Sequence, residues 1–157
     1  MTRDDLLAAA ARIRATVAEA DRSVAALPIA AIGWATVEHE RAMGQLDEAL
    51  AGAPGAPGAT GVDAERWRPM PRDAALGASA QVRGLGAGIP ALVVLEPDSE
   101  GRLAASLARF GEGVAVVYLG TLAAGGFGGG RLVRGGPAWG PHVVVLGDSL
   151  SARKAPA

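Results

Sequence analysis

The chain has 157 residues, half of them apolar and a fifth charged, and its formal net charge is −1. This length suits one domain with its own hydrophobic core. The balance of 15 basic and 16 acidic residues gives no electrostatic footprint for nucleic acid, and the short basic cluster Arg66, Arg68 and Arg72 is expected to be a solvated loop. The absence of cysteine excludes disulfide bonds, thiolate metal sites and cysteine nucleophiles.

The N-terminal segment differs from a secretory or transit peptide, because Arg3, Asp4 and Asp5 precede an alanine-rich stretch that arginines interrupt. No run of the sequence approaches the roughly 20 apolar residues that span a bilayer. We therefore expect a cytoplasmic protein with no membrane partner.

Residues 2–27 are predicted to form an amphipathic helix that begins with a capping box of Thr2 and Asp5 and ends before Pro28. Its apolar positions are spaced alternately four and three residues apart and form one seam: Leu6, Ala10, Ile13, Val17, Ala20, Val24 and Leu27. A seam of this regularity must be covered. Two alternatives remain open, since it can pack on the protein's own sheet or pair with a second copy in a homodimer.

We divide the chain into an N-terminal helix over 1–28, a single α+β core over 29–148 and a disordered tail over 149–157. Within the core, local patterns predict further elements. These are a strand at 29–37, a helix at 38–50, two strands at 75–85 and 91–95 joined as a hairpin, a helix from an N-cap at Asp98 or Ser99 to Phe110, and strands at 114–119 and 142–146.

Three segments of low complexity or high glycine and proline content separate these elements. Residues 51–61 alternate alanine, glycine and proline and are predicted to form a flexible loop. Residues 66–73 are expected to be extended. Residues 120–140 contain nine glycines, which predicts a loop that wraps a ligand and contains little helix or strand.

Few residues offer chemistry for an active site. The two histidines, His39 and His142, have no second ligand at metal-binding spacing; His39 is expected at a solvated helix start, and His142 at the mouth of a pocket. Serine-nucleophile signatures are absent, and the glycine strings lack the Lys-Ser/Thr pair of a P-loop. Glu96 and Asp98 are expected to cap a helix. His142 and Glu96 remain as candidate general bases.

A more specific signal lies between residues 92 and 118. Leu-Val-Val-Leu-Glu-Pro at 92–97 precedes a short predicted helix, and Gly-Glu-Gly at 111–113 then leads into a strand. This pattern resembles the junction between the two βαβββ modules of the vicinal oxygen chelate superfamily, which includes glyoxalase I and methylmalonyl-CoA epimerases. The opening strand near residues 30–37 is also similar, so the resemblance covers about residues 29–119.

The resemblance implies an α+β fold with a cupped mixed or antiparallel sheet of βαβββ type. To this core the chain adds the N-terminal amphipathic helix. The 38 residues after position 119 are too few and too glycine-rich for a complete second module. We therefore expect a truncated second module whose helix is missing or reduced to a turn.

The family holds a divalent metal with histidine and glutamate side chains from four strands. On this chain those positions fall at Ala31, at Val93, at Val116 or Ala115, and at Val144 or Val145. All of them are apolar, and methyl groups offer a cation no donor atoms. The resemblance with this departure implies a degenerate member without metal ligands and without a cofactor.

Strand alternation then predicts an apolar inner surface with few polar groups. The candidate ligand-binding residues are Tyr118, His142, Arg83, Gln81 and Trp139, although the same residues can simply fill a core. Our main hypothesis is a metal-free protein that binds a small apolar or aromatic ligand. Two alternatives stay open: a metal-independent enzyme acting on a small organic acid or thioester, and a non-catalytic assembly partner working through the N-terminal helix. A homodimer is expected.

Overall fold

The computed structural model describes residues 1–51, 66–122, 126–127, 129–136 and 140–147, without the side chains of 134–136. The segment 51–61 beyond its first residue, the tail 149–157 and Trp139 lie outside the described residues. In chain order the elements are α1 (Arg3–Ala20), a 3-10 turn (Arg22–Val24), β1 (Ile29–Ala35), α2 (His39–Ala51), β2 (Arg68–Asp73), β3 (Ala78–Arg83), β4 (Ala91–Pro97), α3 (Arg102–Phe110), β5 (Gly113–Leu119), β6 (Arg131–Gly136) and β7 (Gly140–Val145).

The seven strands that the structure describes form one curled sheet in the order β2-β3-β4-β1-β5-β7-β6. β1 runs parallel to β4 and β5 runs parallel to β7, while the other neighbouring strands are antiparallel. The elements β1-α2-β2-β3-β4 make a complete βαβββ module, and β5-β6-β7 make a shorter second one. The predicted α+β class with a cupped mixed sheet and an added N-terminal helix is confirmed.

The helix α1 begins as predicted but ends earlier. Thr2 Oγ1 accepts from the Asp5 amide at 3.2 Å, and Asp5 Oδ2 accepts from the Thr2 amide at 2.7 Å, which completes the capping box. The prediction that one helix continues to residue 27 is wrong, because Asp21 is extended and its carboxylate accepts from the Ser23 amide at 2.9 Å. That bond starts the separate 3-10 turn.

Most of the apolar seam is buried on the chain's own sheet, as the first of its two alternatives predicts, while the homodimer stays a prediction. The helix α1 packs against β1, β5 and β7, whereas α2 packs against β4. The buried seam residues share one cluster with outward-facing strand residues: Leu6, Ala10, Val17, Val24 and Leu27 with Ile32, Val117, Leu119, Val143 and Val145. The described residues between β5 and β6 form no helix. The helix α1 therefore covers the outer face of the second module.

Two predictions about secondary structure are wrong: the loop over residues 120–140 contains a strand, and the helix that ends at Phe110 begins later than expected. Residues 131–136 form the edge strand β6, because pairing with β7 compensates for the poor strand propensity of a glycine-rich segment. The helix α3 begins at Arg102 after Gly101, which makes no side-chain cap, since Asp98 is instead held by Arg72. The helix α3 lies on the inner face, where Leu103 is fully buried.

In the described part of the chain, no helix combines the length and hydropathy that crossing a bilayer would require.

Candidate functional site

The positions at which the resemblance would place metal ligands do converge on the inner face of the sheet. Gly33 of β1 pairs with Val93 of β4 on one side and with Val116 of β5 on the other, and Ala31 pairs with Tyr118. Ala31, Val93, Val116 and Val144 belong to one buried cluster. The residues that meet here present only methyl groups, so they do not fit a bound cation. Among the described residues, no three His, Cys, Asp or Glu side chains stand together as a possible ion site.

The interior of the curled sheet is crossed by a hydrogen bond between Tyr118 and Asp73. The Tyr118 hydroxyl donates to Asp73 Oδ2 at 2.7 Å, and both side chains are buried. The other oxygen, Oδ1, accepts from the amides of Ala75 and Leu76 at 2.9 and 3.2 Å. Burial raises the pKa of Tyr118 well above 10.0, and the neighbouring Asp73 carboxylate raises it further. Tyr118 is therefore a neutral donor at physiological pH.

Apolar side chains fill the space around Tyr118. The ring of Phe127 stacks on the Tyr118 ring with centroids 4.8 Å apart. Next to Phe127, the backbone of Gly126 approaches β2 so closely that a Cβ atom there would stand 3.1 Å from Pro71. Leu76 and Leu103 complete the same cluster. The interior beside Tyr118 is therefore a packed core closed over by the segment 126–127.

His142 lies on the inner face of β7, in register with Val116, and is fully buried. Neither ring nitrogen has a hydrogen-bond partner among the described residues. Burial lowers the pKa of His142 and the positive charge of Arg102 lowers it further, whereas Asp73 opposes them. The imidazole is therefore neutral. The sequence predicts His142 at the mouth of a pocket, but the structure buries it.

The candidates Gln81 and Arg83 do share a face of β3, but it is the outer one. Alternation along β3 turns Ala80 and Val82 inward, so the two polar residues lie on the side covered by α2. There the guanidinium of Arg83 is bonded to Asp47, which also accepts from Trp67 Nε1 at 2.8 Å. The structure therefore does not bring Gln81 and Arg83 together with Tyr118 and His142.

The two glutamates near the module junction hold the backbone together. Glu96 Oε2 accepts from the His39 amide at 3.1 Å and lies 3.5 Å from His39 Nδ1, so it caps α2. Glu112 Oε1 accepts from Thr36 Oγ1 at 2.8 Å, from the Val37 amide at 3.0 Å and from the Arg41 guanidinium at 2.5 Å. The hydrogen bond from Arg41 is the main cause that lowers the pKa of Glu112 to about 2.

An open pocket of about 350 Å³ lies on the inner side of the first module. Arg68 of β2 lines this pocket on the same face of the sheet as Val82 of β3, because the two residues pair and residues opposite each other in such a pair share a face. Nine residues line it: Ala30, Arg68, Val82, Gly84, Ile89, Ala91, Gly120, Thr121 and Leu122. Of these nine described residues, five contribute apolar side chains and only Arg68 is charged.

A second open pocket of about 310 Å³ lies at the opposite end of the sheet, beside the end of α3. Its apolar side chains come from Phe110, Val114, Ala115 and Pro141, and Ser106 contributes a hydroxyl. Glu112, the one charged residue among those described here, is already engaged by Thr36, Val37 and Arg41. The described lining of this pocket therefore offers no uncommitted charge with which to orient a ligand.

Comparison with known proteins gives a likeness of low identity. No protein-family model matches the chain, and no curated protein matches it. Among solved structures, the chain is similar to the hypothetical protein BH1468 from Bacillus halodurans C-125, with a TM-score of 0.49 at 14% identity over 84% of this chain and 98% of that one. It is also similar to methylmalonyl-CoA epimerase from Mycobacterium tuberculosis, with a TM-score of 0.48 at 12% identity over 79% of this chain and 91% of that one.

Sequence reasoning missed Asp73, Phe127 and the inward position of Arg68. The basic cluster around Arg68 was expected to be a loop, but Arg68 begins the edge strand β2. The available signal was the alternation of Arg68 and Met70 in an extended segment, which puts both on one face. No local pattern connects Asp73 to Tyr118, which lies 45 residues further on.

Proposed function

We propose that this chain is a metal-free protein that binds a small molecule in the open pocket at Arg68. The observation that carries the proposal is the pocket itself, which combines apolar walls from Val82, Ile89, Ala91 and Leu122 with one charged side chain. Its volume of about 350 Å³ falls at the lower end of the range for small-molecule sites. A compact ligand of few heavy atoms suits it.

This proposal keeps the small-molecule binding expected from the sequence but moves the site. Tyr118 is fully buried, its hydroxyl is committed to Asp73, and Phe127 covers its ring. A ligand beside Tyr118 would have to displace part of the core. The pocket at Arg68 is open without any such displacement.

Binding is favoured over a metal-independent enzyme acting on an organic acid or thioester. A general base must come within hydrogen-bond reach of the substrate. The lining residues that the structure describes include no histidine, aspartate or glutamate. Of the two candidate bases, His142 is buried on the inner face of β7 and does not line this pocket, and Glu96 caps α2.

The binding site is tested by narrowing the pocket. Ala91 lines it and is half-buried, so Ala91→Leu should fill part of its volume while leaving the strand intact. Ala8→Leu on the exposed side of α1 is the matched control. Native mass spectrometry for a co-purified small molecule, followed by amide chemical-shift titration, should show binding to the wild type and control and its loss in Ala91→Leu. Shifts that map to other residues, or that survive Ala91→Leu, would contradict the proposal.

The metal-free state is tested by a separate experiment. Elemental analysis of protein produced in medium supplemented with zinc, cobalt, nickel and manganese should find none of them at stoichiometric level. A stoichiometric ion that resists dialysis would contradict the metal-free state, because residues outside the apolar positions Ala31, Val93, Val116 and Val144 would have to supply its donor atoms.

A further inference from the structure

We infer that the ligand class of the Arg68 pocket is a small organic carboxylate with an apolar body, an inference that rests on the proposed binding site. The guanidinium supplies paired N–H donors in a planar fork, which match the two oxygens of a carboxylate. The apolar walls take the remainder of the molecule.

The first argument is charge balance. The other arginines on β2 and β3 are both in ion pairs: Arg72 with Asp98 and Arg83 with Asp47. None of the ion pairs between described residues includes Arg68. The described residues of the pocket lining also include no acidic side chain. Within the described part of the chain, the pocket therefore carries one uncompensated positive charge, which an anion neutralises and a cation does not.

The second argument concerns the number of charges. A phosphate dianion is usually held by several cations or by converging amides at a helix N-terminus. Among the described lining residues, Arg68 is the only cation and none belongs to a helix. The Gly120 amide is already committed, since it donates to the Pro28 carbonyl at 2.9 Å. A single negative charge on a planar group is the better match.

The third argument is the position of the charge relative to the walls. Arg68 is exposed on the edge strand β2, whereas Val82 is buried and Ile89 and Ala91 are half-buried. A ligand that places its carboxylate on Arg68 can keep that group near solvent while its apolar part contacts Val82 and Ile89. This arrangement avoids burial of an unpaired charge.

The experiment compares acids with their neutral amides of the same shape. Hexanoate, cyclohexanecarboxylate, benzoate and phenylacetate are titrated beside their primary amides into the wild type, Arg68→Gln and the control Arg12→Gln, with amide chemical shifts as the readout. Arg12 is exposed on α1, remote from the pocket lining. We expect at least one acid to bind the pocket about tenfold more tightly than its amide, because charge-assisted hydrogen bonds exceed neutral ones.

Each outcome separates the inference from the proposed function. Loss of the acid preference in Arg68→Gln, with the preference kept in Arg12→Gln, supports the inference. Equal binding of acids and amides at Gly84, Ala91 and Gly120 overturns the carboxylate class and leaves the binding site standing. An acid preference that survives Arg68→Gln also overturns the inference. No shift at the pocket for any compound overturns both.

Discussion

The hydroxyl of Tyr118 on β5 and the carboxylate of Asp73 at the end of β2 meet at 2.7 Å inside the curled sheet, although three strands separate β2 from β5. The bond joins the edge of the first module to the centre of the sheet. It satisfies two buried polar groups at once, so its removal leaves a desolvated carboxylate oxygen.

Tyr118→Phe should lower the free energy of unfolding by about 2 kcal/mol, because the Asp73 carboxylate loses the hydrogen bond that the Tyr118 hydroxyl donates. The stacking of the ring on Phe127 is kept. Urea denaturation measures the loss. A double-mutant cycle with Asp73→Ala isolates the pair and should give a coupling of about 1–2 kcal/mol. Additive single-variant effects would show that the two side chains do not stabilise one another.

The same residue gives a prediction about alkaline pH. The pKa of Tyr118 is raised in the folded protein, so the folded state holds the phenolic proton more tightly than the unfolded state does. Stability should therefore fall as the pH rises above about 10, the ordinary tyrosine value. The chain has one tyrosine, so near-ultraviolet phenolate absorbance reports on it alone. Ionisation that precedes unfolding, measured by far-ultraviolet circular dichroism, would disprove the closed interior.

His142 should make the protein less stable in mild acid. Its pKa is lowered in the folded state, so unfolding takes up a proton below pH 6.5 and stability falls as the pH falls through that value. His142→Leu should remove this slope. It should also leave stability at neutral pH unchanged or raise it by about 1 kcal/mol, because two unpartnered buried nitrogens disappear. A variant much less stable at neutral pH would reveal a bonding partner for the imidazole.

Glu112→Gln should weaken the junction between the modules. The carboxylate accepts from Thr36, Val37 and Arg41, and its neutral replacement loses the charge-assisted part, at a cost of about 1 kcal/mol for a partly exposed site. Because the pKa of Glu112 is lowered from 4.5 to about 2, the wild type should lose this contribution as the pH falls through that interval. Thermal unfolding across that range, with the exposed Glu19→Gln as control, checks both effects. Equal pH profiles for wild type and Glu112→Gln would contradict the assignment.

The close packing of β1 against β5 depends on the absence of a side chain at Gly33. A Cβ atom there would stand 2.7 Å from Val116 Cβ and 2.9 Å from Leu95 Cδ1. Gly33→Ala should therefore destabilise the protein by about 1–3 kcal/mol through overpacking. Gly44→Ala is the matched control, since nothing lies within 4 Å of its Cβ on α2. That change should stabilise the helix by about 0.5–1 kcal/mol, and denaturant midpoints distinguish the two signs.

The parts of the fold that were predictable from the sequence are those encoded by neighbouring residues. The capping box of Thr2 and Asp5, the apolar seam of α1 and the Leu-Glu-Pro strand end all act within a few residues. The end of α1 was missed because Asp21 stabilises the turn after it rather than the helix before it. The strand β6 was missed because its pairing with β7, not its composition, makes it a strand.

The candidate site was less predictable because its residues meet across the sheet. Alternation correctly placed Gln81 and Arg83 together, but which face of β3 is inner depends on the pairing of β3 with β2 and β4. Arg68 reaches the inner face through its register with Val82. Tyr118 was identified as the polar group of the interior, whereas its partner Asp73 had no local signature.

The position of α1 on β5 and β7 joins two elements that lie far apart in the sequence: α1, which ends at Ala20, and the last described strand, which begins at Gly140. During synthesis α1 emerges before β5 and β7, so the surface that shelters its apolar seam is complete only after β7 has been made. Contacts between such distant parts of a chain close large loops and slow folding. The two modules should therefore not fold as independent halves, and a nascent chain that ends before β7 should leave Leu6, Ala10 and Val17 with only part of their native cover.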